Sequence, residues 1–314
     1  MTDTSTSQYL HPGGTAVITG ASTGIGKAAA FMCAAKGMNV YLVDIDEDEV
    51  AAAATEVKKK GSPDQKIEAV VSDVSDEGAM RAVADTVFAA HGEVSFLMNN
   101  AGTGKGGGAL ESMDTVQKVF GVNTYGPING CLAFIPKMKE SGRLGLIVNT
   151  GSKQGITMPP GNLTYNMSKA ALKAYTEGLE HELCMERIES GGKLRAALLI
   201  PGWVNTSIVL KVMRDKAEAA GETFNKDDAF FHEDKPASGA WMPSQVIDFM
   251  IAELEKGKFY VVCPDNDVDR ETDNLRMLWT ANDIIQDRPP LSRWHPEYKD
   301  KFDDFLKTNR IKQT

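Results

Sequence analysis

The sequence predicts an α/β protein built on one doubly wound, parallel sheet of about seven strands. Short runs rich in β-branched and apolar residues recur along the chain with longer helical patterns between them, at 15–19, 40–44, 67–73, 96–101, 145–151, 196–202 and 259–264. Each run is apolar through its middle instead of alternating, which is typical of strands covered on both faces. Strand and helix in alternation imply right-handed parallel crossovers, so ligands are expected beyond the carboxyl ends of the strands.

One domain with two additions accounts for the 314 residues. We expect a polar N-terminal tail at 1–13, a main domain at 14–266 and a C-terminal extension at 267–314. An insertion at 203–243, before the last strand, is long enough to be a substrate lid. The extension carries an amphipathic pattern and a segment rich in proline and aromatic residues, so it is expected to dock on the body or on a neighbouring subunit.

The net charge of −9 and a pI near 5.2 argue against nucleic-acid or anionic-membrane partners and favour a small-molecule substrate. The N-terminus fits no secretory signal and the chain has no apolar run of membrane length, so a cytoplasmic location is expected. Four cysteines without CxxC spacing indicate reduced thiols, and five scattered histidines give no metal-ligand pattern, so no metal is expected.

A glycine-rich turn, Gly20-Ala21-Ser22-Thr23-Gly24-Ile25-Gly26, lies directly between the first predicted strand and a helical run. Glycines allow backbone angles closed to other residues and let a pyrophosphate approach the free N–H groups of a helix N-terminus. This predicts a Rossmann-type dinucleotide site, which makes 14–266 a dinucleotide-binding catalytic domain; the alternative is a plain strand-to-helix turn.

Asp44 ends the second predicted strand, 18 residues after Gly26. An acidic side chain there can accept hydrogen bonds from the ribose hydroxyls and would repel a 2′-phosphate. Because Ser22, Thr23 and Ile45 are neutral, NAD is favoured over NADP. The alternative is that Asp44 only caps the following helix.

Tyr165 and Lys169 lie four residues apart in a stretch that reads as helix, so their side chains share one face. An adjacent ammonium favours the phenolate and would lower the tyrosine pKa towards neutrality, which suits a general acid/base. Ser152 follows the fifth predicted strand, and its hydroxyl could hydrogen-bond the reacting oxygen. Each signal alone is weak, since most isolated matches are structural.

Taken together, the TGxxxGIG turn, Asp44, Ser152 and the Tyr165/Lys169 pair resemble the classical short-chain dehydrogenases/reductases in order and spacing. The resemblance adds Asn123 to the catalytic set of Ser152, Tyr165 and Lys169, as the residue that holds a water linking the lysine to solvent. It also completes the predicted cofactor set: Gly20, Ser22, Thr23, Gly24, Ile25, Gly26, Asp44, Asp73, Val74, Asn100, Ala101, Gly102, Tyr165, Lys169, Pro201, Gly202, Val204 and Thr206.

The resemblance implies an oxidoreductase that transfers a hydride between NAD and a secondary alcohol or ketone, and a homo-oligomer, a tetramer or else a dimer. Gln154, Met158 and Trp203 are expected to contact substrate, and apolar neighbours indicate a hydrophobic or aromatic one. Those apolar residues could equally pack the insertion onto the body. The alternatives are an NADH-dependent carbonyl reductase, which differs only in direction, and a non-catalytic NAD-binding sensor or scaffold.

Overall fold

The sheet has seven strands, all parallel, as the sequence predicts. The computed structural model describes residues 5–104, 106–229 and 231–310. The strands are β1 (Thr15–Thr19), β2 (Asn39–Asp44), β3 (Ile67–Val71), β4 (Phe96–Asn99), β5 (Gly145–Thr150), β6 (Leu194–Ile200) and β7 (Tyr260–Val262). Their order is β3-β2-β1-β4-β5-β6-β7. From β1 the strands are added in one direction as far as β3, and from β4 they are added in the opposite direction. In α/β sheets, the point where the strand order reverses opens a crevice for ligands.

Helices cover both faces of the sheet. They are α1 (Gly24–Ala35), α2 (Glu47–Lys58), α3 (Glu77–His91), α4 (Met113–Phe120), α5 (Gly126–Ser141), α6 (Gln154–Thr157), α7 (Leu163–Ser190), α8 (Ile208–Ala220), α9 (Pro243–Glu255), α10 (Arg270–Ile285) and α11 (Lys299–Asn309). Buried residues of α1, α2 and α9 pack with one set of strand residues, and those of α3, α5 and α7 with the other. Successive residues of a strand therefore enter opposite cores, as Val17 and Ile18 do.

The edge strand β3 differs from the prediction that every strand is covered on both faces. Its burial alternates, and Val71 is 54% exposed. The reason is its place at the end of the strand order, where it pairs only with β2.

The segment predicted as a polar N-terminal tail packs on the body over its described part, which begins at residue 5. Tyr9 and Leu10 belong to the buried core, and the Thr6 hydroxyl hydrogen-bonds Glu255 at the end of α9. Two apolar residues within a polar stretch are enough to dock it, because burying each is worth about 1.5–3 kcal/mol.

In its described residues, the insertion at 203–243 contains α8 and one 3₁₀ turn; its two ends are joined to each other, and one of them packs on the body. Asn205 N donates to Trp241 O at 2.9 Å, and Trp241 packs edge-on against Phe249 of α9. Phe230, one of the apolar residues that could have faced a substrate, lies outside the described residues. In the described part of the chain, no helix combines the length and hydropathy needed to cross a membrane.

The C-terminal extension folds as α10 and α11, which pack against each other through aromatic side chains. Trp279 lies edge-on to Phe302 and Phe305 and donates its indole N–H to Ser292 Oγ at 2.8 Å. The extension lies on the body of its own chain, where Met277 packs against the buried cluster of Leu198, Ile200 and Val262.

Candidate active site

A cavity of about 450 Å³ opens at the carboxyl ends of the strands, beside the reversal between β1 and β4. Residues that follow six of the strands line it: Gly20, Thr23, Gly24 and Ile25 after β1; Asp44 and Ile45 at β2; Ser72, Asp73 and Val74 after β3; Asn100, Ala101 and Gly102 after β4; Thr150 and Ser152 at β5; Pro201 to Val204 after β6. Tyr165 and Lys169 of α7 also line it.

The glycine turn has the geometry that a phosphate-binding turn requires. Gly20 and Gly24 have φ of 63° and 57°, the left-handed region that favours glycine. A Cβ on Gly20 would lie 2.7 Å from Ala101 Cα, and one on Gly26 would lie 2.2 Å from Gly20 O. Side chains are thus excluded by backbone on one side, and the N-terminus of α1 faces the cavity on the other.

Asp44 is buried at the end of β2 and its carboxylate holds the glycine turn in place. Oδ2 accepts from Ser22 N at 3.1 Å, while Oδ1 accepts from Ile45 N at 2.9 Å. The residue that caps α2 is Asp46, whose side chain accepts from Glu49 N. The alternative that Asp44 caps this helix is therefore wrong, and the carboxylate faces the cavity.

The loop after β4 is fixed against β1 by a hydroxyl. Thr19 Oγ1 accepts from Asn100 N at 2.9 Å and from Ala101 N at 3.1 Å, and Asn100 Nδ2 donates to Thr19 O at 3.1 Å. Behind it, Asn99 Nδ2 donates to Asn149 Oδ1 at 2.9 Å, joining β4 to β5 inside the sheet. These hydrogen bonds therefore fix the position of the loop backbone that lines the cavity.

Three side chains with acid–base chemistry converge at the β5 end of the cavity. Ser152 and Tyr165 line the same end of the cavity, and Lys169 Nζ donates to Thr150 O at 2.8 Å. Lys169 Nζ lies 5.9 Å from the centroid of the Tyr165 ring. Burial lowers the pKa of Lys169 to about 8, because the buried ammonium loses its hydration.

The expectation that Lys169 lowers the tyrosine pKa is not met in this arrangement. Burial raises the pKa of Tyr165, and the Ser152 hydroxyl acts in the opposite direction. Lys169 Nζ lies over the Tyr165 ring and donates its hydrogen bond to Thr150 O, and the pKa of the lysine itself falls. Desolvation, which sequence spacing does not report, dominates both groups.

Asn123 is fully buried in a π-helical turn, Gly121–Tyr125, between α4 and α5. Its Nδ2 donates to Thr103 O at 3.0 Å and to Ser168 Oγ at 3.1 Å, while its Oδ1 accepts from Thr103 N at 2.8 Å. These bonds offset the low helix propensity of asparagine, and π turns occur often at functional sites. Nothing in the sequence pattern marks this turn.

Four predicted site residues do not line the cavity. Ser22 points its hydroxyl at Glu49, at 3.3 Å, and Gly26 packs against Gly20 O. Asn123 lies behind Thr103, and Met158 ends α6 in a left-handed conformation with φ of 47°. Met158 is therefore not placed for the substrate contact expected of it, whereas Gln154 and Trp203 line the cavity.

Two cations that sequence reasoning missed line the cavity, Lys211 and Arg214 of α8. Lys211 Nζ lies 2.7 Å from Glu49 Oε2, so the insertion closes over the Asp44 end of the cavity. The preference for NAD considered only the neutral residues Ser22, Thr23 and Ile45, whereas these two cations come from a distant segment of the chain. The sequence shows the i, i+3 spacing of the two residues, but it does not predict that α8 packs over the end of β2.

A glutamate of the insertion also reaches the glycine turn. Gly24 N donates to Glu233 Oε1 at 2.6 Å, so a carboxylate lies at the N-terminus of α1, where helix N–H groups favour an anion. Beside it, Ser207 Oγ donates to Thr23 Oγ1 at 2.6 Å. Neither contact was predicted, because both depend on how a chain segment some 200 residues away folds back.

Comparison with known proteins identifies the family. The family model for short chain dehydrogenases matches residues 14–217. 1-Deoxy-11-beta-hydroxypentalenate dehydrogenase of Streptomyces avermitilis is 33% identical over 224 residues, covering 70% of this chain and 79% of that protein. The chain belongs to the short-chain dehydrogenase/reductase family and is an oxidoreductase of that family.

Two solved structures show the fold in relatives with a bound nicotinamide dinucleotide. A short-chain dehydrogenase/reductase from Burkholderia phymatum in complex with NAD is 30% identical, with a TM-score of 0.75, and the match covers 89% of this chain and 96% of that one. A metagenomic short-chain oxidoreductase in complex with NADP is 26% identical, with a TM-score of 0.61 over 81% and 98% of the two chains. Relatives of this chain thus bind either cofactor.

Proposed function

We propose that the protein is an NAD-dependent dehydrogenase that interconverts a hydrophobic or aromatic secondary alcohol and its ketone. One observation carries the proposal: a single cavity is lined at one end by the glycine turn and Asp44 and at the other by Ser152, Tyr165 and Lys169. A dinucleotide is long enough to link these ends, and the residues present fit it. The backbone N–H groups of α1 suit a pyrophosphate, and the Asp44 carboxylate suits ribose hydroxyls.

The reaction needs a proton and a hydride to leave the same carbinol group. NAD, which the glycine turn and Asp44 would hold, would supply the acceptor for the hydride of the carbinol carbon. Tyr165 takes the hydroxyl proton in oxidation and returns it in reduction, while the Ser152 hydroxyl orients the phenol and the substrate oxygen. Lys169, whose burial lowers its pKa to about 8, can pass a proton near neutral pH. We propose that Asn123 supports this relay through Thr103 and Ser168.

The substrate end of the cavity is apolar. Trp203 and Phe231 pack edge-on with ring centroids 5.3 Å apart, and Ile208 and Val209 of α8 line the same cavity. Gln154 adds an amide whose buried Oε1 makes no hydrogen bond. This combination suits a hydrophobic ring with one further donor group.

The first experiment measures reduction of NAD and NADP by the purified protein with cyclohexanol, menthol, indanol and tetralol. Tyr165→Phe keeps the ring and removes the proton-transfer group, so we expect turnover to fall by about 10²–10⁴-fold while NADH binding persists. NADH binding without turnover by the unmodified protein would favour the sensor or scaffold. Turnover that survives in Tyr165→Phe would contradict the mechanism.

NADP is the second candidate cofactor, and Lys211 and Arg214 are the observation that favours it. We place NAD first because Lys211 is paired with Glu49, while the Asp44 carboxylate faces the same end of the cavity. Asp44→Asn should lower the ratio of kcat/KM for NAD to that for NADP by about tenfold, roughly 1.4 kcal/mol. Asp46→Asn, the neighbouring cap of α2, is the matched control and should leave the ratio unchanged. NADP preference in the unmodified protein would refute the role given to Asp44.

We also propose a homotetramer, with a dimer as the alternative. The support is a set of apolar side chains that stay exposed on α5, α7 and the π turn before α5: Tyr125, Leu132, Leu163 and Met167. Sedimentation velocity of the purified protein distinguishes the two assemblies from a monomer.

A further inference from the structure

Two carboxylates that follow β7 converge on the residue next to the catalytic serine. Lys153 Nζ lies 2.6 Å from Asp273 Oδ2 of α10 and 3.3 Å from Asp265 Oδ2. The lysine side chain is 16% exposed and the two carboxylates 5% and 6%. We call these three residues the carboxylate clamp.

The clamp joins two loops that line the cavity. Asp265 Oδ2 also accepts from Trp203 N at 3.2 Å, and Lys153 N donates to Pro201 O at 3.3 Å. A Cβ on Gly202 would lie 2.5 Å from Asp265 Oδ2 and 2.7 Å from Lys153 Nζ, so glycine at this position leaves room for the ion pair.

The short helix α6 connects the clamp to Ser152 and Lys169. Ser152 Oγ accepts from Gln154 N at 3.1 Å at the start of α6. A Cβ on Gly155 would lie 2.6 Å from the backbone carbon of Lys169, so α6 lies directly on the catalytic lysine. On its other side, α6 contacts α10, and Ile156 and Met277 pack against the same buried cluster, which contains Leu198. The Ser152 loop is thus held between α7 and the C-terminal extension.

We propose that Asp265 and Asp273 are positioning residues, which act through Lys153 to fix the Ser152 hydroxyl against Tyr165. The C-terminal extension then completes the active site from outside the matched family range, which ends at residue 217. Asp273 is the nearer of the two partners, so removing its charge leaves Lys153 with only the longer contact to Asp265, and Lys153 should then shift together with the adjoining Ser152. This inference rests on the proposed function.

The test compares Asp273→Asn with Asp283→Asn. Asp283 is the matched control, because it is a buried carboxylate of the same helix that pairs with Arg288 at 2.9 Å and contacts Ser292, away from the Ser152 loop. Both variants should lose stability. Only Asp273→Asn should lower kcat with the panel alcohol that is oxidised fastest, by about tenfold or more, with KM for NAD within about twofold. Asp273→Glu, which restores the carboxylate, should recover part of kcat.

Hydrogen–deuterium exchange gives a readout that does not need turnover. Amides of 151–158 should exchange about tenfold faster in Asp273→Asn, and at the unmodified rate in Asp283→Asn. Equal exchange of 151–158 in all three proteins, or an equal loss of kcat in both variants, would overturn the clamp's role. Absence of both NADH binding and turnover in the unmodified protein would instead refute the proposed function.

Discussion

Replacing Lys169 with methionine removes an ammonium from a place where burial disfavours it. Burial lowers the pKa of this lysine from 10.5 to about 8. At about pH 7 the group is protonated in the folded and the unfolded state, so the folded protein carries the full cost of about 3 kcal/mol. Methionine leaves Thr150 O without its donor, which costs about 1–3 kcal/mol. We therefore expect Lys169→Met to be as stable as the unmodified protein, or about 2 kcal/mol more stable.

The pH dependence separates these two contributions. Between the folded pKa of about 8 and the unfolded value of 10.5, the unfolded state binds the extra proton, so the unmodified protein gains stability as pH rises. By about pH 9.5 the remaining cost is about 1 kcal/mol, and the loss of the donor to Thr150 does not titrate. The stability of Lys169→Met relative to the unmodified protein should therefore fall by about 2 kcal/mol between about pH 7 and about pH 9.5.

Urea unfolding at the two pH values and one fixed protomer concentration measures the difference. Lys173→Met is the control, since Lys173 lies one turn further along α7, is a third exposed and pairs with Glu177. A relative stability that is equal at both pH values, or that rises with pH, would refute the buried-ammonium argument. Loss of turnover without loss of stability would show that the protein keeps an unfavourable charge for its chemistry.

Three further predictions concern the glycine turn and the core. Gly20→Ala should abolish NADH binding and destabilise the fold by about 2 kcal/mol or more, because Gly20 has a positive φ and a Cβ there would meet backbone. Gly92 has a similar φ but open space around it, so the control Gly92→Ala should cost only about 1 kcal/mol. Glu233→Gln should tighten NADH binding about fivefold, because a carboxylate no longer competes for Gly24 N. Asn149→Leu should cost about 2–4 kcal/mol, since Asn99 and Thr176 each lose their buried hydrogen bond to Asn149.

Fluorescence titration of NADH measures the first two effects, and urea unfolding measures the third. Glu222→Gln, an exposed residue of the same insertion, is the control for Glu233→Gln and should leave NADH affinity unchanged. Unchanged affinity in Glu233→Gln would show that its carboxylate does not compete with the pyrophosphate. NADH binding by Gly20→Ala at unmodified strength would contradict the reading of the glycine turn.

The sequence by itself determined the sheet and the chemical groups that follow its strands. Apolar runs and turn residues are local properties, so the seven strands could be predicted in their order along the chain. The positions of four chemical groups relative to those strands could be predicted in the same way: Asp44, Ser152, Tyr165 and Lys169. The family resemblance then gave these residues roles, which remain predictions. Spacing on one helix was enough to pair Tyr165 with Lys169, because helix geometry is fixed.

Only the tertiary structure decided what depends on burial and on segments distant in the chain. Burial raises the pKa of Tyr165 and lowers that of Lys169, although spacing alone predicted a lower tyrosine pKa. Lys211 reaches Glu49, Glu233 reaches Gly24 and Asp273 reaches Lys153, across separations that no local pattern encodes. Local sequence sets each element, whereas desolvation and long-range ion pairs exist only once those elements are packed together.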